Sequence, residues 1–484
     1  MSGSAGGNGI GAAGGITGTT LADLTTWFTA MDGSKGTVDL FANDISYLRG
    51  DQATLTGAIA KTYLDTTKKF KSDYMTGWNS ANQKFEWTVT STISGSFYVS
   101  ALINGSSGAT VNVQDGSSKV SFKLSSSGWD KVAIGQVNIP TGASKVDLSA
   151  SGTFNMQFKS LELIPAASKA AIDANISSTK STSTWMKSNP IGMMYQWGQW
   201  GGNPDGTGST WPTCYADMDW TAFAQRIKNE GADFIVWSIT WTQYYVAAPI
   251  ASIDEVLTGR TSKIDYLGTM LTEFQKQGIK VIFYYHLGHD DNPNLDWWNA
   301  FWTVSSAGDY ARKETAIQKW INIITEIGNR YGTMLAGWMF DDGCIYYPSP
   351  FNRLTVAARA GNPDRMVAFN PWILPRYSDY EDFAFGEGYM GGATNLSNGV
   401  YTSGKQSGQQ AFGNFMTESG DWGVRTGDTA AITTTMSQAT FNTIAEDAVT
   451  ERSGMAFNFR MWQDGTQSQT SLDRFKAAAA AAHQ

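Results

Sequence analysis

From Pro190 onward the chain alternates apolar strand-like runs with amphipathic helical stretches, and this alternation limits the fold more than any other feature. A repeated strand–helix order calls for a mainly parallel sheet covered by helices. In DMDWTAFAQRIKNEG, Trp220, Phe223 and Ile227 share one helical face, and the strand-like ADFIVWSIT follows. In IDYLGTMLTEFQKQG, Leu267, Leu271 and Phe274 share a face before IKVIFYYHLG, and Ile317, Ile321 and Ile324 precede MLAGWMFDDG. Further strands are predicted at GMMYQWG, MVAFNPW, DFAFGEGY, AFGNFMTE and GMAFNFR. Together these make a (β/α)8 barrel over residues 188–484 the expected architecture. No glycine-rich phosphate fingerprint follows any of these strands, which argues against an open dinucleotide-binding sheet.

The N-terminal part reads differently. Residues 74–164 contain short alternating strands separated by Gly, Ser, Asn and Asp, such as KFEWTVT, SFYVSALI and KVDLSA. This pattern predicts a β-sandwich. Residues 165–187 read as a linker. Residues 1–73 read as a flexible Gly-rich and helical leader, in which Leu48, Leu55, Ile59 and Tyr63 recur at near-helical spacing. Such a leader could serve oligomerisation, attachment to an assembly, or packing against its neighbour, and the sequence leaves these open.

Composition narrows the function. Charged residues are 16% of the chain, below the ~25% of an average soluble protein. Aromatic residues reach 13%, including 19 Trp; most should be core, and the rest offer flat faces for sugar rings. A net charge of −8 argues against a nucleic-acid partner. No apolar run is long enough to insert in a membrane. The segment MSGSAGGNGIGAAGG lacks the regions of a secretory signal. An extracellular, surface or virion-associated place by another route is expected, with the cytoplasm left open. The two cysteines, Cys214 and Cys344, make neither a metal spacing nor a disulfide framework.

In a barrel of this type the site forms at the C-terminal strand ends. Candidates there for binding are Gln196, Trp197, Trp241, His286, His289, Asn370, Trp372, Trp422 and Arg460; the carboxylates are Asp341, Asp342, Glu387 and Glu418. Carboxylates, amides and Trp are the set that a glycoside hydrolase uses. His286 and His289 fall in one loop with Asp290 and Asp291; hydrogen bonding to sugar is preferred there to a metal, and no cofactor is expected. Glu387, flanked by glycines, is the first choice for general acid/base, with Glu418 second. Side chains alternate along a strand, so only one of Asp341 and Asp342 faces the pocket while extended geometry lasts.

The order of these motifs resembles the alpha-L-fucosidases of glycoside hydrolase family 29. Their opening FGxFIHWG is similar to IGMMYQWG, their GLKFGLYYSL to GIKVIFYYHL, and their WFDG to WMFDDG. The WTAFAQRIKNEGADFIVWS unit, Asn362-Pro363-Asp364 before Val367-Ala368-Phe369-Asn370, and SGMAFNFRMWQDG follow in the same order. The resemblance implies a retaining glycosidase. Matching through Phe340 implies Asp341 as nucleophile, whereas matching through Gly343 implies Asp342. Gln196 stands where the family has His, and Thr240-Trp241-Thr242-Gln243 replaces its His-His-Asp-Gly, which points to a different sugar. The β-sandwich resembles carbohydrate-binding modules of families 6 and 35 in SGSFYVSALING and FKSLELI. Some such modules hold structural calcium, which no acidic cluster here compels. The expected partner is thus an oligo- or polysaccharide. A non-catalytic carbohydrate-binding or adhesion protein and a virion-borne glycan depolymerase are the alternatives.

Overall fold

The structure, a computed structural model, describes residues 36–63, 73–241, 243–286, 309–341, 351–370, 378–385, 395–404 and 406–484. It contains two compact units, one built mainly from residues up to Ser178 and one mainly from Thr179 onward.

The first unit has two six-stranded sheets. Its strands are β1 (Val38–Leu40), β2 (Ser46–Arg49), β3 (Thr54–Thr56), β4 (Ala60–Tyr63), β5 (Asp73–Trp78), β6 (Lys84–Ser91), β7 (Gly95–Gly105), β8 (Thr110–Asp115), β9 (Ser118–Lys123), β10 (Gly128–Ile139), β11 (Gly142–Ser151) and β12 (Met156–Pro165). One sheet runs β1-β6-β11-β8-β9 with β3 on β6; the other runs β10-β7-β12-β5-β4 with β2 on β12. Alternation explains the pairing of faces. Phe85, Trp87 and Val89 of β6 and Phe97, Val99, Ala101 and Ile103 of β7 enter one hydrophobic cluster. The Phe85 and Phe158 rings meet across it at 4.7 Å. In β12 the register shifts between Phe158 and Ser160, so Phe158 and Leu161 both face inward despite their odd spacing.

Two expectations are corrected here. The described part of the leader has no α-helix: it supplies β1 to β4 and one short 3-10 turn, Gly50–Gln52. Leu48 is buried on β2 opposite Leu161 of β12, and Leu55 lies on β3. Strands of three or four residues are too short to display a two-residue alternation, so their apolar residues mimicked helical spacing. The expected linker contains a helix, Ala166–Thr179, in which Ile172 is buried. Its Ala-rich sequence favours helix, while so narrow an apolar face gives almost no periodic signal.

The second unit is a curled parallel sheet with helices. Its strands are β13 (Ile191–Tyr195), β14 (Phe234–Ser238), β15 (Lys280–His286), β16 (Leu335–Asp341), β17 (Met366–Phe369), a hairpin β18 (Leu396–Ser397) and β19 (Val400–Tyr401), then β20 (Phe412–Met416) and β21 (Gly454–Asn458). The sheet order is β17-β16-β15-β14-β13-β21-β20. Residues 382–384 bridge its two ends: Asp382 N donates to Val367 O (2.8 Å), Gln410 N to Asp382 O (2.9 Å), and Ala384 N to Gln410 O (2.9 Å). The seven strands and this segment form a closed ring, the layout of a (β/α)8-type domain.

Both faces of these strands are apolar, as a sheet covered by helices requires. Met194, Phe234, Val236, Ile282, Tyr284, Met339, Ala368, Phe412 and Ala456 form the interior cluster. The alternate residues pack outward: Trp237 meets Trp220 and Phe223 of the helix Trp220–Glu230, and Phe457 meets Phe441 and Phe475 of the last two helices. That helix starts where Asp219 accepts from Ala222 N and stops at Gly231, whose φ of 89° is left-handed. Gly192 leaves room inside, since a Cβ there would lie 2.3 Å from the Phe234 ring. At the opposite end from the expected site, buried Arg365 donates to the carbonyls of Gly328, Gly332, Leu335, Ala358 and Ala360. Burial pulls its pKa down to about 10.

Candidate active site

Asp341 is the last residue of β16 and lies opposite His286 on β15. Met339 belongs to the interior cluster, so alternation turns Asp341 inward as well. Phe340 points the other way, its ring 5.3 Å from both Trp338 and Phe369. Three neighbouring side chains converge on the Asp341 carboxylate. The Tyr284 hydroxyl donates to Oδ2, and Asn370 Nδ2 donates to Oδ1 at 2.7 Å. His286 Nε2 lies 3.5 Å from Oδ2. Asn370 is itself fixed by the ladder, since its N donates to Phe340 O at 2.8 Å.

His286 is anchored at three points. Its N donates to Thr240 Oγ1 (3.0 Å), its Nδ1 is 3.2 Å from Trp241 O, and its ring stacks on Tyr284 with centroids 5.9 Å apart. Both ring nitrogens therefore face oxygen atoms. The Asp341 side chain keeps 13% of its surface open, enough for a reacting atom to approach while the donors hold the carboxylate still. Two donors, Tyr284 and Asn370, and the adjacent His286 ring thus pre-orient one inward carboxylate at the C-terminal end of the ring.

The loop after β20 lies over the ends of β13 and β21. Gly423 bridges to Gln196, and a Cβ there would lie 2.5 Å from Gln196 O, so the close approach needs glycine. The Trp422 carbonyl accepts from Asn458 Nδ2 at 2.8 Å. The Arg425 guanidinium lies 4.5 Å from the ring centre of Trp241, which is mostly buried. Arg460 braces the same loop. Its guanidinium donates to Ser419 O (2.8 Å), Gly423 O (3.3 Å) and Asp428 Oδ2 (3.1 Å). Expected as a substrate ligand, Arg460 is committed to holding this loop in place.

No family model matches the chain, and no curated protein does. Solved structures are similar to it at low identity. One is an alpha-L-fucosidase of glycoside hydrolase family 29 from Bacteroides thetaiotaomicron, with 16% identity, 63% of this chain and 74% of that chain covered, and a TM-score of 0.44. Another is an endo-fucoidan hydrolase of glycoside hydrolase family 107, with 14% identity, 62% and 54% covered, and a TM-score of 0.46. A third, alpha-L-fucosidase isoenzyme 1 from Paenibacillus thiaminolyticus, has 15% identity, 62% and 74% covered, and a TM-score of 0.42. The reading of the site rests on its own geometry.

Two sequence expectations are displaced by that geometry. Trp197 is 1% exposed and packs among Tyr215, Trp220 and Trp237, with Nε1 donating to Trp462 O at 3.0 Å. It belongs to the outer aromatic layer, because it follows the inward Gln196 and so points away from the interior. Glu418 is not brought to Asp341. It accepts from Arg460 N at 2.6 Å and lies beside Ser471 of the helix Gln469–Ala482 and near Tyr195. Tyr195 packs against Phe223 and Phe459 on the outer side. Burial pushes the Glu418 carboxyl up to about 7, against the opposing pull of the Ser471 hydroxyl and of the Arg460 amide and guanidinium. A raised pKa there reflects burial in the helical layer.

Asp342, Glu387, His289 and Trp372 lie outside the described residues. Tyr284 was missed by sequence reasoning, although counting back two residues from His286 places it on the same face. Among the described residues no group of three or more His, Cys, Asp or Glu could hold a metal ion, and no helix is long and apolar enough to cross a membrane.

Proposed function

We propose that this chain is a glycoside hydrolase in which Asp341 attacks the anomeric carbon. The observation that carries this reading is the inward carboxylate at a strand end, held by Tyr284, His286 and Asn370. Charge-assisted hydrogen bonds from such donors suit a nucleophile that must act in its ionised form. The resemblance to family 29, when matched through Phe340, supports the same assignment.

In the retaining scheme, an Asp341 oxygen forms a bond to the anomeric carbon as the glycosidic C–O bond breaks. A general acid, assigned to Glu387, gives its proton to the departing oxygen. Water then attacks the same carbon, its proton returns to that base, and the Asp341 carboxylate is released. Trp241 and Trp422 line the substrate side in this reading. The substrate is a glycan outside the cell or on a surface, and the fine specificity differs from fucose because Gln196 and Trp241 replace the family's His residues.

The test is Asp341→Asn assayed on a panel of aryl glycosides and polysaccharides. Turnover should fall by roughly 10³-fold or more, with sugar binding retained. Near-normal hydrolysis by Asp341→Asn would reject the assignment. Binding of glycans by the wild type with no hydrolysis of any of them would favour the adhesion reading.

A further inference from the structure

The ring order places β20, β21 and β13 directly across from β15, β16 and β17. From β16 to β21 there are four steps in either direction, through β14 on one side and residues 382–384 on the other. Asp341 and its donors occupy the first wall. The facing wall carries Asn414 on β20, Asn458 on β21 and Gln196 just after β13. Each lies two residues from an interior residue (Phe412, Ala456 and Met194), so all three turn inward.

These side chains are 2%, 1% and 3% exposed, and among the described residues no donor reaches Asn414 Oδ1, Asn458 Oδ1 or Gln196 Oε1. A buried acceptor without a donor is costly, so three on one wall require an explanation. At Asn458 the amide orientation is fixed. Its Nδ2 donates to Trp422 O, which fixes the oxygen toward the interior. The Asn414 Nδ2 faces Met194 Sδ at 3.8 Å.

We infer that Gln196, Asn414 and Asn458 form an acceptor wall that selects an uncharged, hydroxyl-bearing sugar ring facing Asp341. Sugar hydroxyls supply the missing donors. A carboxylate or sulfate on that side of the ring would meet the unpaired oxygens of all three amides, and at Asn458 the Nδ2 is already held by Trp422 O, so an anion is disfavoured there. The inference rests on the glycosidase reading for the place of the sugar, and it assigns these amides to recognition, apart from the chemistry at Asp341.

The test uses the full chain, with D-galactose, L-fucose and D-galacturonate as probes in titration calorimetry. Galactose and galacturonate differ only by the carboxylate at C6. A neutral probe should bind the wild type and Asp341→Asn, and galacturonate should bind at least tenfold more weakly than galactose. Asn414→Leu and Gln196→Met, close in shape but without the oxygen, should weaken the neutral probe tenfold or more. Their unliganded melting temperature should equal or exceed that of the wild type, because a buried unpaired acceptor is removed. The inference is overturned if no neutral probe binds, if galacturonate binds as tightly as galactose, or if Asn414→Leu melts several degrees lower with affinity unchanged. That last result would make the wall structural. Hydrolysis by Asp341→Asn is scored separately, so the enzyme reading can fail while the recognition wall stands.

Discussion

Replacing Glu418 by Gln should change how stability depends on pH. Glu418 is 3% exposed, and burial raises its carboxyl from 4.5 to about 7. The folded state therefore holds a proton between these values that the unfolded chain has released. With the unfolded state binding fewer protons, stability falls as pH rises. The contribution is complete below about 4.5, declines through the window, and is lost above about 7. At 1.36 kcal/mol per pH unit the full swing is on the order of 3 kcal/mol. Glutamine mimics the protonated acid and keeps an oxygen to accept from Arg460 N, so the variant should lack this slope. Calorimetric melts of wild type and Glu418→Gln at pH 4.5, 6, 7 and 8 read the difference. The two should melt alike at pH 4.5, and the variant should melt several degrees higher at pH 8. Asp382, Asp233 and Glu230 are also raised by burial and tilt the wild-type curve the same way. Only the difference between the two proteins isolates Glu418. Parallel curves across the whole range would refute the argument.

Three further outcomes follow from the packing. Arg365→Met should destabilise the second unit by roughly 3–5 kcal/mol, because it strips a buried cation from five carbonyls; an unchanged melting temperature would contradict this. Trp197→Ala should cost about 3–5 kcal/mol as a core cavity while the folded protein keeps its sugar affinity, and a selective loss of affinity would return Trp197 to the substrate side. Arg460→Ala should speed amide hydrogen exchange over residues 419–428 and leave the strands of the ring protected; unchanged exchange there would show that the loop does not depend on this brace.

The ring was legible because its strands are apolar on both faces and its helices carry strong one-sided patterns. The eight expected segments coincide with β13 to β17, residues 382–384, β20 and β21. The expected strands KFEWTVT, SFYVSALI and KVDLSA are present within β6, β7 and β11. The four short strands before them were not legible, since Leu48 and Leu55 belong to elements too brief to show a period. The site was partly legible. Asp341, His286 and Asn370 meet as strand-end residues of adjacent strands. Glu418 and Arg460 share a strand-end position with them, yet they bond to each other and to the loop around them. Position along a strand identifies which end a residue occupies, but side-chain commitments decide whether it is free to meet a ligand.

Alternation along each strand assigns its residues to the interior or to the helical layer. Met339 and Asp341 face the interior while Phe340 packs outward, and Met194 faces the interior while Tyr195 packs against Phe223. The same two-residue rule places Gln196 inside and Trp197 outside, against the expectation that both meet substrate. Applied to β20 and β21, it puts Asn414 and Asn458 on the interior wall opposite Asp341. Apolar packing would have served a purely structural core at these positions, at no cost in unpaired acceptors. Amides on one wall and a braced carboxylate on the other give the interior two unlike surfaces, the one proposed to recognise hydroxyls and the other proposed to react, as cleavage of a bond to a sugar ring would require.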